Sequence, residues 1–496
     1  DTGVVTLSVP TGGGKTFSSL RYALRHAALN GQRRLFYIIP YNTILDQNAR
    51  DIREALADYP SILEHHSNVV TDPKGESDDG QTAYKRLTER WDSDIILTSL
   101  VQFLNACYAA PNSAARRFHA LTNAVLIFDE IQSLPKACKV LFERAIQFLT
   151  QYCRSTVVLC TATQPSLGDL LRTYAPELTV TELCPQTEEV YDRFRRVTFR
   201  QAGILEDDAL AERLSGHRQV LCVVNSRKAA QQIFDRLPQE GSFHLSTLMI
   251  PAQRQMILEE IRQRLKDGEP CRVVSTSLIE AGVDVDFPTV YRELAGLDSI
   301  LQAAGRCNRE GKRPAEESIV TIFERTELPP LLFRTAVGAT RYALKDGRDP
   351  AAQETMQRYF YELRALSGET LDKYGVVKAF ETGISGCTLP FRTVAERFHF
   401  IDENTRTVYV PVGEGAALVE QLKAGECSKE LYRALGRYAV SVYDQHFKAL
   451  YAAGALLTAR DVPALDEDSA ILADLTLYDE RTGLTLEPEM GKADFV

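Results

Sequence analysis

Apolar residues in the first 190 positions fall mostly in short, nearly unbroken runs rather than alternating ones. VVTLSV, RLFYIIP, DIILTS, AVLIFDE and STVVLCTAT are the runs. Their continuity suits strands of a parallel sheet covered on both faces. After the first run, KTFSSLRYALRHAALN has helical spacing and stops at Asn30-Gly31. A second series starts near Arg195, with RQVLCVVNS, CRVVSTS, TVYRELAG and SIVTIFE as strands and RKAAQQIFDRL and QRQMILEEIRQRLKDG as helices. The pattern predicts two α/β domains in tandem, over 1–190 and 191–328. From about Pro329 the chain becomes polar and helical, which predicts a linker over 329–375 and a small α+β accessory domain over 376–496. In that last part FHFIDENTRTVYVP predicts a hairpin turning at Glu403-Asn404. A long amphipathic helix is expected from about Ser428 to Ala453, and DLTLYDERTGLTLEP predicts a second hairpin.

Composition changes this picture little. With 496 residues, 44% hydrophobic and 25% charged, the chain has room for several cores and a globular balance. No apolar run reaches membrane length and no signal peptide is seen, so a cytoplasmic setting without a membrane partner is expected. The first residue is Asp1, not Met, so the chain reads as processed or trimmed. The ten cysteines form no C-x-x-C pair, and Cys160 and Cys222 lie inside apolar runs, as buried thiols do. A net charge of −10 argues weakly against nucleic acid. Local basic clusters offset that argument: Arg193, Arg195, Arg196 and Arg200, then Arg306, Arg309, Lys312 and Arg313.

The chemistry begins at SVPTGGGKT, Ser8 to Thr16. A glycine-rich turn between a strand and a helix aims backbone N–H groups at phosphate oxygens. Pro10, Thr11, Gly12, Gly13 and Gly14 would form that cradle, Lys15 would reach the β and γ phosphates, and the Thr16 hydroxyl would ligate magnesium. The common pattern has glycine five positions before Gly14, where this chain has Val9. VLIFDEIQ then supplies carboxylates at a strand end: Asp129 to hold magnesium, Glu130 as general base toward the attacking water. A glycine turn without ligand and a solvated acid pair are the bland alternatives.

Asp129-Glu130-Ile131-Gln132 resembles a DExx box, and Thr161-Ala162-Thr163 resembles the S/T-A-T motif after the next strand. STSLIEAGVD, Ser275 to Asp284, and QAAGRCNR, Gln302 to Arg309, are similar to motifs five and six of superfamily 2 helicases. LEHHSNV, LSTLMIPAQR and FDEIQSLP, with AGVDVDFPTVYREL and LDSILQAAGRCNREG, resemble the CRISPR-associated helicase of type I systems, closest to its type I-C branch. The resemblance implies two tandem RecA-like domains and an ATP- and magnesium-dependent motor. Such a motor moves 3′ to 5′ on single-stranded DNA and unwinds the duplex for antiviral defence. It implies Arg306 and Arg309 as arginine fingers reaching the γ-phosphate, a catalytic Gln302, and nucleotide contacts from Gly282 and Asp284. As partners it implies a CRISPR RNA-guided surveillance complex of the Cascade type and a metal nuclease domain. The nuclease signature is a His-Asp pair, and this sequence has none, so that domain is expected upstream or in a separate chain. Gln132 departs from the histidine common in the box, but can still couple ATP to the S/T-A-T motif.

Strand tracking uses hydroxyls and amides past the carboxyl ends of strands. Thr43, Asn48, Ser67, Asn68, Thr98, Ser99, Asn225, Arg227, Ser246, Thr247 and Thr276 are the candidates, each with the alternative of a turn or cap residue. His65 and His66 would point to opposite faces of a strand and so seldom share a metal. Trp91 reads as a packing residue. Two other readings remain open: another superfamily 2 motor, acting on RNA or as a restriction-system duplex translocase, and an ATP-binding switch without turnover.

Overall fold

The computed structural model describes residues 3–10, 13–40, 42–57, 59–66, 84, 86–109, 112–135, 138–161, 179–184, 189–190, 193–280, 282–367, 374–386, 388–398 and 405–486. All statements below concern these residues.

The continuous apolar runs become buried parallel strands. In the first lobe they are β1 (Val4–Ser8), β2 (Arg34–Ile39), β3 (Ile62–His65), β4 (Ile95–Ser99), β5 (Ala124–Phe128), β6 (Thr156–Thr161) and β7 (Val180–Glu182). They lie in the order β3-β4-β2-β5-β6-β1-β7. The order reverses across the sheet, so the loops after β1, β2, β5 and β6 gather at one carboxyl edge, where open α/β sheets take ligands. The helices are α1 (Lys15–Asn30), α2 (Asn42–Ala55), α3 (Leu100–Tyr108) and α4 (Lys139–Gln151). Cores form on both faces, one around Phe36, Phe103, Phe128 and Phe142, the other around Leu20, Tyr37, Leu45 and Cys160. Helix α1 ends at Gly31, whose φ of 65° is the left-handed cap that the Asn-Gly pair predicts.

The second lobe repeats the scheme. Its strands are β8 (Thr198–Leu205), β9 (Gln219–Val223), β10 (Ser242–Leu245), β11 (Cys271–Ser275), β12 (Thr289–Glu293) and β13 (Ile319–Arg325). They are parallel neighbours in the order β10-β11-β9-β12-β13-β8. Helices α5 (Asp207–Ser215), α6 (Arg227–Phe234), α7 (Pro251–Asp267) and α8 (Leu297–Ala304) cover it. The fold class is thus α/β with two RecA-like sheets in tandem. The strand pattern missed β3, β7, β8 and β10, which are peripheral and short or half exposed, and so carry too few apolar residues to stand out.

Helices α9 (Leu331–Ala343) and α10 (Gln353–Ser367) pack on the second lobe through Val337, Met356, Tyr359 and Phe360 against Leu297 and Ile322. The next helices, α11 (Val376–Ser385) and α12 (Phe391–Arg397), were expected with the accessory domain. They join the first lobe instead, where Val376, Val394 and Phe398 enter its core, with Phe398 5.6 Å from the Tyr108 ring.

The expected long helix over Ser428–Ala453 is corrected. It is split into α14 (Lys429–Gly436), β15 (Ala439–Tyr443) and α15 (Asp444–Ala452), following α13 (Glu414–Lys423). The reason is local alternation: Val440 and Val442 are buried while Ser441 and Tyr443 face outward, a period of two that overrides the helical reading. The predicted turn at Glu403-Asn404 lies outside the described residues. Its following strand, β14 (Thr405–Tyr409), pairs with the remote β15 and with β17 (Ser469–Leu472), which also pairs with β16 (Leu456–Leu457). The tail hairpin forms as expected, from β18 (Tyr478–Asp479) and β19 (Gly483–Leu484). It clasps the second lobe: Leu484 N–H donates to the Leu248 carbonyl at 2.9 Å, and the Ile250 N–H donates to the Tyr478 hydroxyl at 3.0 Å. Gly483 is required there, because a Cβ would stand 2.4 Å from the Leu248 oxygen.

No helix among the described residues is long and apolar enough to cross a membrane. Among the described residues two buried acids, Glu143 and Glu280, each have a carboxyl oxygen without a hydrogen bond. Glu143 on α4 is 2% exposed, one carboxyl oxygen has no hydrogen bond, and burial pushes its pKa up to about 7 against the pull of Lys139, Arg364 and Arg144. A raised folded pKa favours folding below the ordinary value of 4.5 and loses that contribution as pH rises through about 7. Glu143→Gln should therefore melt higher than the parent at pH 8, with the difference shrinking toward pH 4.5. Melting curves across that range check it, and a constant difference would contradict the assignment.

Candidate ATP-hydrolysis cleft

The loop after β1 is built around two glycines. Gly14 caps α1 with φ of 76°, a left-handed conformation that favours glycine. Gly13 is fixed by contact: a Cβ there would stand 2.3 Å from Val9 Cγ1 and 3.0 Å from the Pro10 oxygen. Val9 itself is buried, so the valine that replaces the usual first glycine fills the space under the turn. Thr11 and Gly12 lie outside the described residues.

Lys15 reaches back to the strand β5 edge. Its Nζ is 2.6 Å from Glu130 Oε1 and 4.0 Å from Asp129 Oδ1. Expected to reach phosphate, Lys15 is here 8% exposed and ion-paired with the acidic box. Burial works against its charge, but Glu130 and Asp129 outweigh burial and hold its pKa above the ordinary lysine value. Asp129 is raised, by burial first, with Lys15 opposing. Glu130 is lowered on balance: burial raises it, but Lys15, Gln132 and Arg306 together hold it ionised. An ionised Glu130 is what a general base requires.

Glu130 stands in the left-handed region, φ 53°, which is uncommon for a residue with a Cβ. Its N–H donates to Asp129 Oδ1 at 3.0 Å, and the Gln132 amide donates to Glu130 Oε2. Gln132 Oε1 in turn accepts from the Thr161 hydroxyl at 2.9 Å. So Gln132 joins the acidic box to the strand that leads into Ala162-Thr163, which lie outside the described residues.

Tyr37 was not singled out from the sequence. Fully buried, it donates from its hydroxyl to Asp129 Oδ2 at 2.8 Å, with the Thr16 side chain close by. Burial, then Asp129, keeps its pKa well above the ordinary phenol value, so it remains a donor. The phenol sets side by side the hydroxyl and carboxylate expected to share a magnesium ion, a hard-oxygen pair suited to that metal. A tyrosine hydroxyl inside the otherwise apolar LFYII run of β2 was the available signal.

Arg306 comes from the second lobe. It is 7% exposed, and its Nη2 donates to the Glu280 carbonyl at 2.6 Å and its Nε to the Ile279 carbonyl at 3.2 Å. Burial, then Arg309, pushes its pKa down to about 10, while Glu130, Asp284 and Glu280 resist. Glu130 and Arg306 each favour the other's charged form, so the two lobes bring the candidate base and the candidate finger into one electrostatic field. Arg309 pairs with Asp284 at 2.7 Å, and its N–H donates to Asp286 Oδ1 at 2.7 Å. Asp284 is thereby held by the neighbouring finger. Gln302 is half-buried on α8, and Gly282 adopts φ of 74° in the loop before it.

The proposed strand-contacting residues divide. Thr247 is exposed and Asn48 half-buried on α2. Arg227, half-buried, stacks over the Tyr443 ring at 5.1 Å, and burial lowers its pKa. Others are spent internally. Thr98 is fully buried and donates to the His65 carbonyl at 2.8 Å, and Ser99 caps α3 by accepting from Gln102 N–H at 3.4 Å. Ser246 accepts from Leu248 N–H at 3.3 Å, and the Asn225 amide donates to the Leu294 carbonyl at 2.9 Å. Thr276 N–H donates to the Leu245 carbonyl at 3.1 Å. Ser67, Asn68 and the Thr43 side chain lie outside the described residues. His65 accepts from the buried Trp91 indole at 3.0 Å, and burial, then Arg117, pushes its pKa down to about 3. Among the described residues no group of three His, Cys, Asp or Glu side chains is placed to hold a metal.

Two RecA-like lobes with a glycine-rich loop, an acidic box and an arginine from the second lobe are the arrangement of a DEAD/DEAH-box helicase fold. Residues 2–170 match the DEAD/DEAH box helicase family, and residues 216–312 match the C-terminal family of the CRISPR-associated nuclease/helicase Cas3. The Cas3 nuclease/helicase of Haloferax volcanii is 25% identical over 66% of this chain and 47% of its own length. The crystal structure of T. fusca Cas3-ADP aligns with 98% of this chain and 68% of its own, at 18% identity and a TM-score of 0.70. A CRISPR RNA-guided surveillance complex, pre-nicking, contains a similar chain at 16% identity, 95% and 64% coverage and a TM-score of 0.58. Both lobes are thus similar to helicase families, the second lobe to the Cas3 C-terminal family. It spans about half the length of the curated relatives it matches, 47% and 50%.

Proposed function

We propose that the protein is an ATP-dependent, single-stranded DNA translocase and helicase of CRISPR interference, moving 3′ to 5′. The observation that carries this reading is the meeting of Lys15, Asp129 and Glu130 with Arg306 across the two lobes. Lys15 would exchange its carboxylate partner for phosphate oxygens when nucleotide binds. Glu130 would orient and deprotonate the attacking water, and Arg306, with Arg309 and Gln302 nearby, would meet charge developing on the γ-phosphate. Thr16 and Asp129 are the residues that would hold magnesium, which when bound neutralises phosphate charge. Closure of the lobes on ATP would then be transmitted to the strand through the loops after β9 and β10. A Cascade-type surveillance complex is the proposed recruiter, and DNA cutting is assigned to a nuclease segment or chain outside these residues, consistent with the absence of a His-Asp pair.

The test measures ATP hydrolysis with and without single-stranded DNA, and unwinding of matched DNA and RNA duplexes with 3′ or 5′ overhangs. DNA-stimulated hydrolysis with unwinding from a 3′ overhang is expected. Preference for RNA would favour another superfamily 2 motor, and no turnover would favour an ATP switch. Glu130→Gln should bind nucleotide as the parent does and lose turnover by roughly a hundredfold, since the carboxylate's shape stays and its basicity goes. Equilibrium binding of a fluorescent ATP analogue beside steady-state rates checks this.

A further inference from the structure

The second lobe keeps a charged cluster in its core that the hydrolytic residues do not use directly. Arg292, at the carboxyl end of β12, is fully buried. Its Nε is 2.8 Å from Glu280 Oε1, in ion-pair contact but not aligned for a hydrogen bond. Its Nη1 donates to Asn225 Oδ1 and to the Glu293 carbonyl, both at 2.8 Å. Its Nη2 donates to Ser299 Oγ at 3.0 Å, and that hydroxyl donates to Glu280 Oε2 at 2.6 Å. Glu293 completes the set by accepting the Asn225 N–H at 2.7 Å. A buried cation between two buried carboxylates is costly, and an apolar set of similar volume commonly stabilises a core as well or better. Its placement says more than its stability. Glu280 is the residue whose carbonyl holds Arg306 Nη2, and Asn225 opens the turn that leads to Arg227.

We propose that Arg292 is a positioning residue that ties the Arg306-holding loop to the Asn225–Arg227 turn, so that strand engagement at the turn sets the finger at the cleft. This rests on the ATP-driven motor reading above. The forked guanidinium is what permits it: Nε and Nη2 address Glu280 and Ser299 on the side of the loop, while Nη1 addresses Asn225 on the other. Movement of either loop therefore breaks bonds made by the same rigid planar group. A lysine has no such fork and cannot hold both sides at once.

The test uses Glu280→Gln, Ser299→Ala and Arg292→Lys in the full chain. Each is compared with the parent in melting temperature, in KM for ATP, and in kcat with and without saturating single-stranded DNA. Glu280→Gln and Ser299→Ala should keep KM within about twofold. Their ratio of stimulated to unstimulated kcat should fall by about tenfold for Glu280→Gln and less for Ser299→Ala. Arg292→Lys should also lose stimulation although its charge is kept. If Glu280→Gln does not fold, Ser299→Ala, which only deletes a hydroxyl, decides the matter. A lowered melting temperature with unchanged stimulation in the folded variants makes the cluster purely structural and overturns the inference. If the parent itself shows no DNA stimulation, the motor reading fails and this inference falls with it. A stimulated parent with unaffected variants overturns the inference alone.

Discussion

Lys15→Ala reduces ATP hydrolysis by about a thousandfold, to near background, because the cation that would lie against the β and γ phosphates is gone. The structure adds a second consequence. Lys15 neutralises two carboxylates, 2.6 and 4.0 Å away, in a cleft with little solvent. Removing it leaves Asp129 and Glu130 with only Arg306 of the second lobe as a nearby cation, at a cost of up to about 3–5 kcal/mol in folding stability. Adding Glu130→Gln to Lys15→Ala removes one of those charges and should recover part of that loss while leaving the enzyme inactive. Denaturant unfolding of the single and double variants, beside their steady-state rates, reads both effects. A Lys15→Ala protein that hydrolyses ATP at a near-parent rate would falsify the assignment of this loop.

Arg306→Ala slows hydrolysis by roughly a thousandfold, on the scale of arginine fingers in nucleotide hydrolysis, while nucleotide affinity changes far less. The finger acts on charge that develops during reaction, so its loss falls on kcat. Burial and Arg309 already push its pKa down, and its guanidinium is held by two backbone acceptors, the Ile279 and Glu280 carbonyls. Loss of those anchors argues for Arg306→Lys as a companion, which keeps charge without the fork and should remain slow. Equal losses in affinity and turnover would instead make Arg306 a general binding residue.

The candidate cleft residues were legible in large part from residue order. A strand, a glycine turn and a helix must follow one another for backbone N–H groups to face a phosphate, and Gly13-Gly14-Lys15-Thr16 shows this in sequence. The acid pair at the end of AVLIF was readable for the same local reason. So were the buried strands, since continuous apolar runs bury on both faces. Peripheral strands such as β8 and β10, and the short β15, carried weaker signals because fewer of their side chains need burial.

Other features depend on distant parts of the chain meeting. Tyr37 matters because β2 lies beside β5, bringing its hydroxyl to Asp129. Thr98, Ser99 and Ser246 look like available hydroxyls in sequence, yet neighbouring backbone groups satisfy them, since buried polar atoms must find partners. Docking of 376–398 on the first lobe follows from where Val376, Val394 and Phe398 find apolar surface. The sequence by itself determined which residues could do the chemistry, because spacing along a strand, turn or helix is local geometry. Only the tertiary structure decided which of them face one another, as with Glu130 and Arg306, because the packing of separate sheets and lobes sets contacts across long sequence separations.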